Sequence, residues 1–211
     1  MNKLLYIIVG SVALAAGLLG FYKSFYLVQP EHALYYQQPR VIKPFQLTDH
    51  QGNLFTNTQV EGQWSWVFLG YTSCPDVCPT TLQELNFIYD DLTAIAENQI
   101  LLVSADPQRD TQEKLAQYIA YFNKEFIALR GDHGLLFPFA RNMGLMYAIT
   151  DNKNTSNAGE YLVDHSASMV LINPDGKIAA IFKPKQEIGE VPSIDGEKLI
   201  SDFEKIVRLY N

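Results

Sequence analysis

Residues 64–82 read WSWVFLGYTSCPDVCPTTL, and this stretch decides the fold. Its first seven residues are apolar apart from one serine and have the length of a buried strand. A loop that carries two cysteines follows. Pro79 then fits the first position of a helix, because a residue at that position needs no N–H. Leucine and isoleucine recur at helical spacing after it, which predicts an amphipathic helix over 79–96.

Apolar runs, helical spacing and turn residues predict the other elements in the same way. Asp110, with Glu113 three residues later, indicates the start of one helix, and the turn sequence NPDG at 173–176 joins two strands. The predicted elements are an N-terminal hairpin over 45–57, a strand over 100–105, a helix over 111–123, a strand over 126–129, a helix over 135–145, paired strands over 169–172 and 177–182, and a helix over 193–210. This order predicts an α/β fold with a central mixed sheet flanked by helices.

The N-terminal segment is apolar enough to cross a membrane. Residues 4–22 contain no charged side chain, and a helix of that length roughly spans a bilayer core. A cleaved signal peptide is the alternative, with Ala13-Leu14-Ala15 as its cleavage site. The apolar run continues beyond Ala15, so we predict an uncleaved single-pass anchor over 1–23 in the inner (cytoplasmic) membrane. Residues 24–43 are then an extended linker, and 44–211 form a domain in the periplasm.

Composition excludes several classes of protein. Hydrophobic residues make up 47% of the 211, which is enough for a full-sized core. The net charge is -7 with no basic cluster, which argues against a nucleic-acid surface. The two cysteines, Cys74 and Cys78, share one short loop, where a disulfide would close no long segment. Their function is therefore expected in thiol or metal chemistry.

The position of the cysteines predicts what that chemistry is. Cys78 is expected at the N-cap of the helix, where unpaired N–H groups and the helix dipole stabilise a thiolate. The pair can close a disulfide, or it can bind a metal, since two thiolates favour Cu(I) or Zn and one imidazole would complete the site. His32, His50 and His133 are expected in exposed loops. His165, just before the strand over 168–172, is a candidate ligand by position, without being fixed as one.

Three stretches carry a specific resemblance. GYTSCPDVCPTTL (70–82), SADPQRDT (104–111) and YLVDHSASMVLINPDGKI (161–178) resemble the SCO/SenC family of copper proteins. The resemblance covers roughly residues 42–208 and includes the N-terminal anchor. It implies a thioredoxin-like fold and one copper ion per chain, Cu(I) or Cu(II), bound by Cys74, Cys78 and His165. It also implies a function in assembling the binuclear copper centre of cytochrome c oxidase. The implied partners are the oxidase copper-centre subunit and another periplasmic copper carrier.

A second function stays open beside copper delivery. Cys74 and Cys78 could be the redox thiols of a thiol–disulfide oxidoreductase, an enzyme, whereas a carrier turns nothing over. The stretch over 161–172 contains no proline, although related reductases have a cis-proline loop there, and this favours the metal site. A peroxidase is a weaker third alternative, because no proline–threonine–cysteine arrangement precedes the helix.

Four further residues are assigned structural functions. Asp106 is interpreted as a turn residue and Asp110 as a helix cap. Met143 and Met146, at helical spacing, are interpreted as core packing, although a thioether could also bind copper.

Overall fold

The computed structural model describes residues 2–26, 28–151, 161–185 and 191–210. Its helices are α1 (Asn2–Tyr26), α2 (Val77–Ile95), α3 (Gln112–Phe122), α4 (His133–Met143) and α5 (Gly196–Tyr210). Its strands are β1 (Ala33–Val41), β2 (Gln46–Asp49), β3 (Leu54–Thr56), β4 (Trp64–Gly70), β5 (Asn98–Ser104), β6 (Ile127–Arg130), β7 (Tyr147–Asp151), β8 (Tyr161–His165), β9 (Met169–Ile172) and β10 (Lys177–Phe182).

Eight of these strands form one mixed sheet in the order β1-β10-β9-β4-β5-β6-β2-β3. Strands β4, β5 and β6 are parallel, and the other pairs are antiparallel. Trp64 pairs with Asn98 and Gly70 with Ser104, so β4 and β5 end together. The predicted α/β fold with a central mixed sheet is confirmed. The hairpin over 45–57 and the strands over 169–172 and 177–182 are confirmed as well.

Core side chains cover both faces of this sheet. Trp66 and Phe68 of β4 face one way and pack with buried residues of α2, α3 and α5. Val67 and Leu69 face the other way and pack with α4. Such alternation is the consequence of the two-residue period of a strand. Because both faces are covered, β4 is apolar along its whole length, as a buried parallel strand is expected to be.

The start of α2 differs from the prediction by two residues. The helix begins at Val77 with Asp76 as its N-cap, so Cys78 is the second helical residue and is not the N-cap. Pro79 is the third helical residue. None of the first N–H groups of a helix has a partner within the helix, so proline is tolerated throughout the first turn. The expected cap at Asp110 was also wrong, because Thr111 caps α3 through a bond from Lys114 N–H.

Part of the predicted linker is a strand. Ala33–Val41 forms β1 at the edge of the sheet, where β10 is its one partner among the described strands. Its register shifts between Tyr35 and Arg40, around Pro39. An edge strand tolerates proline and exposed polar side chains, which is why its sequence resembles a linker. The division into an anchor, a linker and a domain otherwise stays a prediction.

The N-terminal helix α1 contains one segment that could cross a membrane. Lys3–Tyr22 is long enough and apolar enough, and none of it is buried in the rest of the protein. This fits a membrane anchor, and a signal sequence would have the same properties.

Asp202 fixes the start of β1 to α5. Its buried carboxylate accepts hydrogen bonds from the backbone N–H groups of Glu31, His32 and Ala33, at 2.6–2.9 Å. Asp202→Ala should therefore lower the free energy of unfolding by about 2–4 kcal/mol, because three backbone N–H groups lose their charged acceptor. Urea unfolding of residues 24–211 measures this. Glu204→Ala, at an exposed position of the same helix, is the control and should change stability little. Equal stability of the two variants would show that Asp202 does not hold the start of β1 to α5.

Candidate metal centre

The metal centre depends on a hairpin that the sequence did not predict. Strands β7 and β8 form a separate two-stranded sheet, in which Tyr147 lies opposite His165. His165 is therefore the last residue of a strand, whereas a loop position was expected. Each strand has only five residues, and the polar stretch between them has no short turn signal. Residues 152–160 lie outside the described part of the chain.

Three elements bring the three predicted ligands together. Cys74 lies on the loop after β4, Cys78 lies in the first turn of α2, and His165 ends β8. The two sulfur atoms and an imidazole nitrogen all lie within 4.8 Å of one another. The Cys78 Sγ–His165 Nε2 distance is 3.5 Å. Both cysteines are free thiols. Cys78 is 1% exposed, whereas Cys74 and His165 are half-buried.

The cysteine with the lowered pKa is Cys74, whereas the sequence indicated Cys78 as the thiolate. The Cys78 thiol donates to Cys74 and lowers the pKa of Cys74, and His165 and the Cys78 N–H act in the same direction against the effect of burial. That N–H lies 3.4 Å from Cys74 Sγ. The same pairing, together with burial, raises the pKa of Cys78. The N-terminus of α2 therefore stabilises the charge of the first cysteine, because the N–H of its second residue points at that sulfur.

Asp110 holds the cysteine loop in place. Its buried carboxylate accepts hydrogen bonds from Thr72 N–H at 3.1 Å and Thr72 Oγ1 at 2.5 Å. Ser104, at the end of β5, donates to the same carboxylate at 2.6 Å. The loop is thus tied to the neighbouring strand two residues before Cys74. Asp110 remains a structural residue, but it supports the site and caps no helix.

Asp106 and Arg109 hold β8, the strand that ends in His165. Asp106 accepts the Tyr161 hydroxyl at 2.5 Å and pairs with Arg109. The Arg109 guanidinium lies 4.0 Å from the centre of the Tyr161 ring and donates to the Tyr161 carbonyl at 3.2 Å. The ring of Tyr71 meets His165 edge-on at 5.8 Å. Asp106 is part of a turn, as expected, since its carbonyl accepts Asp110 N–H.

Sequence reasoning missed Arg109, Tyr161 and Tyr71 as supporting residues. All three lie in the stretches that carried the family resemblance, and this was the available signal. Their functions follow from long-range contacts, such as the one between Arg109 and Tyr161, which are 52 residues apart.

The other three histidines lie elsewhere. His32 is exposed and its N–H is bound to Asp202. His50 and His133 are half-buried, so the expectation that they are exposed was wrong. His50 Nδ1 accepts Ala128 N–H, and His133 Nδ1 lies 2.9 Å from the Tyr147 hydroxyl. In the part of the chain that the structure describes, the group able to hold a metal contains only His165 among the histidines.

The two methionines differ from each other. Met143 is fully buried in the core, as predicted. Met146 is 74% exposed, so its assignment to the core was wrong. Gly144 ends α4 in a left-handed conformation, and Met146 therefore no longer lies on the apolar face of the helix. It lines an open cleft beside His165 and Ser166.

Comparison with known proteins places this geometry in a family. The SCO1/SenC family model matches residues 34–194. A SCO2-like protein of Rickettsia prowazekii is 31% identical over 71% of this chain and 72% of its own length. The human mitochondrial SCO1 homolog is 31% identical over 78% of this chain, but the chain spans only 54% of that protein.

A solved structure agrees with this match. ScoI of Bradyrhizobium japonicum with copper bound is 28% identical, with a TM-score of 0.63 over 79% of this chain and 99% of that protein. The residues that the family model matches, 34–194, include Cys74, Cys78 and His165. This chain belongs to the SCO1/SenC family and has its thioredoxin-like fold.

Proposed function

We propose that this chain is a copper-binding assembly factor that delivers one copper ion to the binuclear copper centre of cytochrome c oxidase. Cys74, Cys78 and His165 are its proposed ligands. The observation that carries the proposal is their convergence, two sulfur atoms and one imidazole nitrogen within 4.8 Å. The copper-bound ScoI structure supports copper as the metal.

The donor set fits copper better than a structural zinc ion. Thiolate ligands select Cu(I) or Zn, and structural zinc sites have four protein ligands. Here three side chains converge within the described residues, and three-coordination suits Cu(I). Cys74 already favours its charged form, so binding there displaces few protons.

The helix α1 supports a proposal for the location of the protein. We propose that residues 1–23 remain as an anchor in the inner membrane and that the domain lies in the periplasm. The copper-centre subunit of the oxidase is the proposed acceptor, and another periplasmic copper carrier is a proposed donor. The apolar, unburied segment Lys3–Tyr22 supports the anchor.

One observation favours a second function, thiol–disulfide exchange. Cys74 carries a low pKa and lies beside the free thiol Cys78, as in an attacking and resolving pair. The Cys74 thiolate would attack a target disulfide to form a mixed disulfide. Cys78 would then release the target as two thiols and leave a Cys74–Cys78 disulfide. Two electrons pass from this chain to the target.

Counting thiols distinguishes the two functions. The reduced, copper-loaded chain is mixed with a reduced target that has two copper-binding cysteines, and the apo chain with the same target oxidised. Mass spectrometry after alkylation counts the free thiols, and copper is measured on each partner. If the chain is a carrier, copper moves to the reduced target in the first mixture and the chain keeps both thiols there. Loss of both thiols in the second mixture, with no copper transfer in the first, would overturn the proposed delivery.

His165→Ala should lower the affinity for Cu(I) by at least about 10-fold but by less than the loss of either cysteine, because nitrogen coordination is lost while the two sulfur ligands remain. The cysteine pair should still form a disulfide when an oxidant is added. Competition with a Cu(I) chelator gives the affinity. His50→Ala is the control and should bind copper as the unchanged chain does. Equal affinities of the two variants would show that His165 is not a ligand.

A further inference from the structure

The chain enters the sheet at the edge that carries the metal centre. Ala33, the first residue of β1, pairs with Phe182, and Phe182 pairs with Met169. Met169 in turn pairs with Phe68 near the end of β4. Strand β4 continues to Gly70, and the cysteine loop follows at once. The starts of β1 and β9 therefore lie beside the ends of β4, β5 and β10, at one end of the strands. We call this end of the sheet the site edge, as distinct from its outermost strands.

The connection between this edge and α1 is short and fixed at its far end. Asp202 holds the N–H groups of Glu31, His32 and Ala33, so the chain is tied to the domain from residue 31. The membrane-crossing segment ends at Tyr22 and α1 ends at Tyr26, so the helix adds about 6 Å beyond the membrane. The five steps from residue 26 to residue 31, where Asp202 holds the chain, span about 17 Å when fully extended. The whole tether is therefore about 23 Å long. A domain of this size has a radius of gyration of about 16 Å and is therefore roughly 40 Å across. Such a tether cannot bring the opposite edge to the membrane.

We propose that the tether holds the site edge toward the bilayer. Copper exchange then takes place close to the bilayer surface. The inference rests on the proposed anchor and the proposed copper site, and it adds which end of the domain faces the membrane.

Energy transfer from two dye positions to labelled lipids tests the orientation. The full chain is placed in nanodiscs of neutral lipid that contain acceptor-labelled lipid, so that lipid charge does not contribute to the orientation. One variant, Cys78→Ser, carries the donor dye on Cys74. The other, Cys74→Ser with Cys78→Ser and Glu97→Cys, carries it at the opposite edge, just before β5. Seven residues of β5 separate the two edges, so the dye on Cys74 should lie about 20 Å closer to the lipid surface.

Lengthening the tether is the matched control. Twenty glycine and serine residues inserted between Val28 and Gln29 should make the two dye distances converge. A dye at position 97 that lies as close to the lipid as the dye on Cys74 would overturn the inference. A difference that survives the insertion would also overturn it, because the tether would not be its cause. Copper content of the unlabelled chain with the insertion is measured separately and should stay at one ion, so failure of the orientation and failure of the copper site are distinguishable.

Discussion

Cys78→Ser is expected to weaken Cu(I) binding by more than about 100-fold, because loss of an outer supporting group alone costs 10- to 100-fold and this change removes a ligand. A serine hydroxyl is a harder donor and stays protonated, so it does not replace a thiolate. Cys74→Ser should have an effect of the same order. Anaerobic competition with a chromophoric Cu(I) chelator measures both affinities.

Ser73→Ala is the matched control for these variants. Ser73 lies on the same loop and is exposed, and its hydroxyl accepts only a long hydrogen bond from Lys114 at 3.4 Å. Its affinity for copper should stay within a few-fold of the unchanged chain. Copper near one equivalent in the chain with both cysteines replaced would show that the site lies elsewhere.

Alkylation of the apo chain should distinguish the two cysteines. The hydrogen bond from the Cys78 thiol lowers the pKa of Cys74 to about 4, so its thiolate is already formed at pH 6 and its rate with iodoacetamide should be flat from pH 6 to 8. An ordinary thiol, with a pKa near 8.5, speeds up by roughly 100-fold over that range. Cys78, buried and with a raised pKa, should remain unmodified meanwhile. Mass spectrometry of peptides follows each site.

The direction of the pH effect can be checked with one variant. Hydrogen bonding from His165 lowers the pKa of Cys74, so His165→Ala should move the pH at which alkylation accelerates upward. A Cys74 rate that rises with pH in parallel with free cysteine would contradict the assigned thiolate. Faster modification of Cys78 than of Cys74 would contradict it as well.

The elements predicted well are those with strong local signals. The bounds of β4, β9 and β10 agree with the sequence pattern, because long apolar runs and a clear turn determine them. Strand β1 is an edge strand with only one neighbour, so it needs no alternation of apolar residues. Strands β7 and β8 pair only with each other and are short. The sequence patterns of β1 and of the β7–β8 pair are therefore too weak to predict these strands from the residues alone.

The metal centre could be predicted only as far as local spacing reaches. Cys74 and Cys78 are four residues apart at the point where a loop becomes a helix, and this spacing places them side by side. His165 is 87 residues from Cys78, and only the resemblance identified it as a ligand. The location of the thiolate depends first on which cysteine donates to the other, and here the Cys78 thiol donates to Cys74. The His165 ring and the Cys78 N–H act in the same direction, and all three contacts depend on the tertiary structure.

Copper X-ray absorption on the reduced full chain, loaded with one equivalent of Cu(I), tests the central claim most directly. We expect a coordination shell of two sulfur atoms and one nitrogen atom. In His165→Ala the nitrogen from imidazole should disappear, and in the chain with Cys74→Ser and Cys78→Ser the sulfur should disappear. A shell that is the same in the unchanged chain and in both variants would contradict a copper site made of Cys74, Cys78 and His165.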